Sequence, residues 1–553
     1  MKKSLLRAIC SGSLILVLSL VSVTLFSSGS GEKSTDSGSA DSGILKAGEY
    51  TLPIVKNQVT LSLAIRDHFK QEFTLSEPRE IWQEIEKRTN VKIDWQVIYG
   101  ANDYKQAINV RVAAATELPD LFWTHGQKNL DPIKLNKEKL TIKTTDLIKK
   151  YAPNILRHIK TDDLVRALMV APDGQIYCAV PSVKAHKKTI DFTNHYHRQD
   201  WRKKLGIKEP ETIDDFYEML KAFREKDPNG NGEKDEVPWV MRYSTSIMAL
   251  GDAYNLVGNG PGFYREGNTI KNMFVMPKYK DYIQFMQKVY NNGLTHKSII
   301  LKNNQVNQLV STDRCGMVQA NIGNCNRYDN LLKKTGVDIE EGGYFINPPV
   351  LNTVTGKREY RAASHVSDSY LVITTTCKYP EVAIRWLDYV WGSEEGQTLT
   401  NWGFPDKTYT IDKQGKKRFT DAMLDHPKGY SPEEAVWSIG GKLQGLTYYT
   451  ADAFHAHFEK VSKLYNIPLY TKKYMNPEIM IPDTIATLEE AEEYSALFTD
   501  WSTYKEESMV RFITGNLSLD QFDDYLDKLN QLGTDKLIAI LQKQYDRFKS
   551  ITF

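Results

Sequence analysis

Between residues 59 and 123, short apolar runs alternate with helical stretches at spacings too tight for most folds. Val59 to Ile65 reads as a strand. Ser76 is placed to cap a helix with Pro78 in its first turn and Ile81, Trp82 and Ile85 on one face. Val91 to Ile98 is a second strand, Tyr104 to Ala115 a second helix, and Leu118 to Trp123 closes on a third strand. Strand–helix–strand–helix–strand in this order predicts an open α/β sheet. Ligands of such sheets bind beyond the carboxyl ends of the strands, which puts Trp123, Thr124 and His125 at the edge of a cleft.

The rest of the chain keeps this character. Residues 173 to 183 read as a turn and a strand. Thr212-Ile213-Asp214-Asp215 is a capping box, and Phe216, Met219, Leu220 and Phe223 follow at i, i+3, i+4 and i+7, the stripe of a helix with one buried face. Ser369 to Thr374 is strand-like. After Pro380, Ala383, Trp386, Leu387 and Val390 share one helical face, which assigns Trp386 to the core. The tail from Trp501 is helical, interrupted at Gly515 and Gly533. There is no internal repeat.

The N-terminus has a basic start (Lys2, Lys3, Arg7) and an apolar run from Leu14 to Phe26, the pattern of a secretory signal over residues 1–31. A Ser/Gly-rich tether follows over 32–50. Export is the implied route. A lipid-anchored protein would carry a cysteine after the apolar run, where Ser28 stands, so the chain is either released or unusually anchored. With 71 basic and 69 acidic residues, it has no charge excess of the kind nucleic-acid binding demands. Past the leader, Cys178, Cys315, Cys325 and Cys377 show no Cys-x-x-Cys spacing; a Cys315–Cys325 bridge stays open.

The most specific chemistry is Asp227-Pro228-Asn229-Gly230-Asn231-Gly232-Glu233-Lys234-Asp235-Glu236. Oxygen side chains at loop positions 1, 3, 5 and 9, with Gly232 at 6, follow the spacing of an EF-hand calcium loop. Glu233 at position 7 would give its backbone carbonyl. Pro238 replaces the usual position-12 Glu, so Asp235 and Glu236 would have to close the shell. The plainer alternative is a solvated Asp/Asn/Gly turn.

Four stretches resemble the large extracellular solute-binding proteins of Gram-positive ABC importers, the LipO-like group related to alginate-oligosaccharide-binding proteins. They are Asp200-Trp201 with Lys204-Leu205-Gly206; Asp227 to Pro238; Tyr379-Pro380-Glu381 through Tyr389 with Glu394-Glu395-Gly396; and Phe512 to Gly515 with Leu517-Ser518. The resemblance implies a periplasmic-binding-protein-like II fold, two α/β lobes with a central ligand cleft and hinge. The lobes would be 51–186 with 324–405, and 187–323 with 406–553. It implies structural Ca2+ held by Asp227, Asn229, Asn231, Asp235, Glu236 and the carbonyl of Glu233. It also implies a monomer that takes a carbohydrate and delivers it to a membrane permease.

Strand-end positions of that topology supply the candidate ligand contacts: Trp123, His125, Tyr196, Arg198, Arg242, Tyr243, Asn321, Asn324, His365, Asp368 and Trp402. Rings would cover sugar C–H faces, and Arg would pair with a carboxylate if the sugar were acidic. Three other readings stay open: a binder of peptides or another solute, a ligand-sensing surface receptor, and a secreted glycoside hydrolase. The last needs two placed carboxylates, which any chain this acidic could supply. No Gly-x-Ser-x-Gly, His-Glu-x-x-His or Walker pattern is present, so no catalytic residue is assigned.

Overall fold

The protein is described here from a computed structural model, in which residues 51–66, 79–98, 100–183, 194–320, 322–337, 343–347, 349–360, 369–459, 473–474 and 476–553 are described. The strands, in chain order, are β1 (Val59–Arg66), β2 (Val91–Ile98), β3 (Leu121–Trp123), β4 (Val180–Pro181), β5 (Asn194–Arg198), β6 (Val237–Met241), β7 (Phe263–Glu266), β8 (Thr269–Asn272), β9 (Thr295–Ile300), β10 (Cys315–Ala320), β11 (Tyr344–Ile346), β12 (Tyr370–Ile373), β13 (Tyr409–Ile411) and β14 (Lys417–Phe419).

Two five-stranded sheets organise the chain, in the orders β2-β1-β3-β12-β4 and β11-β5-β10-β6-β9. In the first, β1 runs parallel to β2 and β3, as the alternating pattern predicts, and β12 returns antiparallel beside β3. In the second, β10, β6 and β9 are parallel and β5 is antiparallel to both neighbours. Each sheet has its own apolar core. Leu61, Leu63, Leu121, Phe122 and Trp386 lie in the first; Trp239, Met317, Phe216 and Trp501 lie in a second. The α/β fold class of the sequence reading is the one observed.

Local signals explain the elements. The Thr212 side chain accepts from the Asp215 amide and Asp215 reaches back to the Thr212 amide, the capping box expected for the helix Ile213–Glu225. Asp131 caps the helix Pro132–Lys137, accepting from Ile133 and Lys134. The long helix Leu488–Thr514 stops at Gly515, whose φ of 78° is left-handed. The expected cap Ser76 and Pro78 lie outside the described residues; the helix that follows is Glu80–Thr89, with Ile81, Trp82 and Ile85 buried.

The chain changes core at points other than those the sequence suggested. Residues 324–405 were assigned to the first lobe, yet Tyr344–Ile346 forms the edge of the second sheet, paired with β5, with Tyr344 and Ile346 buried. Residues 406–553 were assigned to the second, yet Leu443, Leu446 and Tyr448 pack into the first core. Near residue 480 the chain crosses again. The Met480 carbonyl accepts from Arg265 at 3.3 Å in the second core, and Ile485 then donates its amide to Ala167 at 3.3 Å in the first. The Cys315–Cys325 bridge is not formed: both are free and buried, as is Cys178. No described helix is long and apolar enough to cross a membrane.

Candidate ligand site and acidic loop

The candidates at the carboxyl end of β3 are brought together, but Trp123 is not an open ring. It is 3% exposed. Its carbonyl accepts from Tyr104 Oη at 2.5 Å, and His125 stacks on its indole with centroids 4.4 Å apart. Gly445 covers it from elsewhere in the chain: at φ +87°, a Cβ there would lie 2.9 Å from Trp123 Cδ1. His125, half-buried, is pulled down to about 4 by burial first and by the charges of Arg66 and Lys105, so its imidazole is neutral at pH 7. Its Nε2 lies 3.5 Å from Arg66 Nη1.

On the second sheet, Arg242 and Tyr243 follow the carboxyl end of β6 and stay accessible. Tyr243 is 45% exposed, and the Arg242 guanidinium lies 4.7 Å from its ring centroid. Arg242 donates to Asn303 Oδ1 at 2.6 Å and to Tyr328 Oη at 3.4 Å, so its head is held at the surface rather than trailing in solvent. Asn324 is half-buried on the helix Ile322–Lys333. Asn321, His365 and Asp368 lie outside the described residues.

Three other candidates are buried. Tyr196 is 1% exposed and points from β5 into an apolar cluster with Val240, Val318 and Tyr344. Arg198, also 1% exposed, is bonded to the carboxylates of Asp200 and Asp313 and lies over the Trp201 ring. Burial is the largest single influence on its charge and opposes it; Asp200, Tyr344 and Asp313 outweigh that and hold the guanidinium firmly protonated. Trp402 is 2% exposed in a small core with Phe419 and Tyr409, centroids 4.7 and 5.9 Å away. A strand end or loop position is a weak guide when a distant segment covers it.

Between the two cores lies a cavity of about 460 Å3 that none of the described candidates lines. Gln127 and Asp131 after β3, Tyr370 at the start of β12, Thr484 in the crossing segment, and Glu492 and Tyr494 on the helix Leu488–Thr514 form its walls. Sequence reasoning missed it because its two sides come from stretches some 360 residues apart in sequence. Tyr494, directly after the acidic run Glu489–Glu493, was the one available signal.

The acidic loop joins the helix Ile213–Glu225 to β6. Asp227 Oδ1 accepts the amides of Gly230 and Asn231 at 2.9 and 3.1 Å, and its Oδ2 accepts that of Gly232 at 2.9 Å. Gly232, at the sharp-turn position, has φ +82°. The side-chain amides of Asn229 and Asn231 both donate to Asp235 Oδ1, at 3.3 and 3.2 Å, while Arg314 Nε holds Asp235 Oδ2 at 2.9 Å. Among the described residues no three His, Cys, Asp or Glu side chains are gathered in ligating geometry. One group remains unspent. Glu236 is 1% exposed, and neither of its carboxylate oxygens has a hydrogen-bond partner. Burial, and behind it the charges of Asp227 and Asp235, push its pKa up. A buried, unpaired carboxylate behind an oxygen-rich loop fits a hard cation, which supplies the missing charge.

The residues 73–397 match the model of the bacterial extracellular solute-binding protein family. The chain is 27% identical over 489 residues to the fructooligosaccharide ABC transporter substrate-binding protein FusA of Streptococcus pneumoniae, covering 85% of this chain and 87% of that protein. It is 22% identical over 477 residues to the polygalacturonan/rhamnogalacturonan-binding protein YtcQ of Bacillus subtilis, covering 84% and 88%. Its fold is similar to that of the alginate-binding protein AlgQ2 solved without calcium ion, at a TM-score of 0.68 and 25% identity, over 89% of this chain and 99% of that one. The match spans more than half of the sequence, and the two separate sheets agree with it: the chain belongs to the bacterial extracellular solute-binding proteins.

Proposed function

We propose that this protein is the capture component of a carbohydrate ABC importer: it encloses an oligosaccharide between its two cores and hands it to membrane permease subunits. The observation that carries the reading is the cavity walled from both cores, with a crossing segment at its edge. Contacts to both sides favour the closed arrangement, which is how a ligand drives hinge closure. Relatives named for fructooligosaccharide, polygalacturonan and alginate support a sugar over a peptide. No bond of the solute is broken in this reading. The family's extracellular character and the leader pattern support an exported protein, anchored or released; we read it as a monomer.

The acidic loop is read as a structural calcium site, with Asp227, Asn229, Asn231, Asp235, Glu236 and the Glu233 carbonyl as the holding groups. A bound divalent cation there would neutralise carboxylates that otherwise repel one another. Glu236 with both oxygens unpaired is the support for it. For its part, the chain presents the side-chain amides of Asn229 and Asn231 and a tight turn at Gly232, between a helix and a strand.

Thermal melts test both halves. Neutral or acidic oligosaccharides should raise the melting temperature by mass action, whereas peptides should not. A chelator should lower it without abolishing the fold, and added calcium should restore it. A shift with peptides and none with any sugar would overturn the capture reading; no response to chelator would return the loop to an ordinary turn.

A further inference from the structure

The cavity between the cores has a chemical character that bears on which sugars enter it. Its volume, about 460 Å3, falls within the range of small-molecule sites. Two aromatic rings face it from opposite sides: Tyr370, buried in the first core, and Tyr494, packed against the second. Gln127 Nε2 and Thr484 Oγ1 are buried there without hydrogen-bond partners. Buried polar atoms are almost always satisfied, so a donor and a hydroxyl left over in the walls of one cavity point to a polar occupant. Gln127 is held in place through its other end, where Oε1 accepts from Asn109 Nδ2 at 2.9 Å.

The charges are unequal. Among the described residues that line it, Asp131 and Glu492 bring two carboxylates and Lys134 one cation. Asp131 is fixed, because its Oδ1 accepts the amides of Ile133 and Lys134 at 2.9 and 3.1 Å. Glu492 stands on the exposed rim, one residue from Ala491.

We infer that this cavity seats an uncharged sugar residue, with Tyr370 and Tyr494 against its ring and Gln127 and Thr484 bonded to its hydroxyls, and that Asp131 and Glu492 exclude uronates. Carboxylates accept hydrogen bonds from hydroxyls but meet a uronate as like charges, which weakens its binding. The inference rests on the capture reading and narrows it. The relatives named above include binders of both neutral and acidic chains, so family membership leaves the choice open.

Calorimetry on the full-length exported protein tests this, with kestose and maltotriose as neutral probes and trigalacturonate as the acidic one. The expected result is binding of at least one neutral probe, with trigalacturonate about 100-fold weaker or undetectable. Tyr494→Ala should weaken neutral-sugar binding about tenfold through loss of one ring face. Ala491→Trp, at an exposed helix position, should block the cavity mouth to similar effect while leaving the melting temperature in place. Glu492→Lys should gain trigalacturonate affinity about tenfold. Trigalacturonate bound as tightly as the neutral probes, or neutral binding untouched by both Tyr494→Ala and Ala491→Trp, overturns the inference while leaving sugar capture standing. Failure of every sugar, neutral and acidic, overturns the capture reading itself.

Discussion

Replacing Arg198 by alanine is expected to destabilise the protein by about 3–5 kcal/mol, the usual cost of removing one partner of a buried ion pair. The side chain is 1% exposed at the end of β5 and is the common partner of Asp200 and Asp313. Without it both carboxylates stay in place and repel each other, with the charge of Lys204 acting on Asp313 but no guanidinium bridging the two. The damage spreads because the Asp313 carbonyl accepts from Asn229 Nδ2 at 3.1 Å, which ties the ion pair to the acidic loop. Urea unfolding followed by circular dichroism reads the loss as a lower midpoint. Arg198→Lys should recover only part of it, since one ammonium cannot fork between two carboxylates. A ligand-contacting arginine would behave in the opposite way, with stability kept and sugar affinity lost.

Trp402→Ala is expected to cost about 3–5 kcal/mol for the same kind of reason, here a cavity rather than a charge. Trp402 fills the small core between the helix Glu394–Trp402 and the β13–β14 hairpin, against Phe419 and Tyr409. Its carbonyl also accepts from Thr408 Oγ1 at 2.6 Å, so the backbone turn into the hairpin is fastened at the same residue. The melting temperature should fall steeply while affinity per folded molecule holds. Trp402→Phe should return most of the stability, because it keeps an aromatic filler and loses only volume.

Periodicity and caps made the elements legible. The capping box at Thr212, the apolar stripe after Pro380 and the stop at Gly515 are local devices, and each appears where the residues place it. The pairing of β12 beside β3 was not legible, because register between strands so far apart is set by packing rather than by either strand. The burial of two ligand candidates was not legible for a related reason. Trp123 stands at a strand end, as the fold requires, but Gly445 closes over it. Trp402 looks like a loop residue until the hairpin that buries it is in place. The acidic loop was readable because its residues are contiguous, yet the buried, unpaired state of Glu236 emerges only when β6 draws that residue inward.

Small-angle X-ray scattering with and without a saturating oligosaccharide tests the central claim most directly. The account predicts a smaller radius of gyration in the sugar-bound sample, as the two cores close on the ligand, with the sugar recovered from that sample at its original length. An unchanged scattering curve with the sugar demonstrably bound, or recovery of shortened fragments, would contradict it.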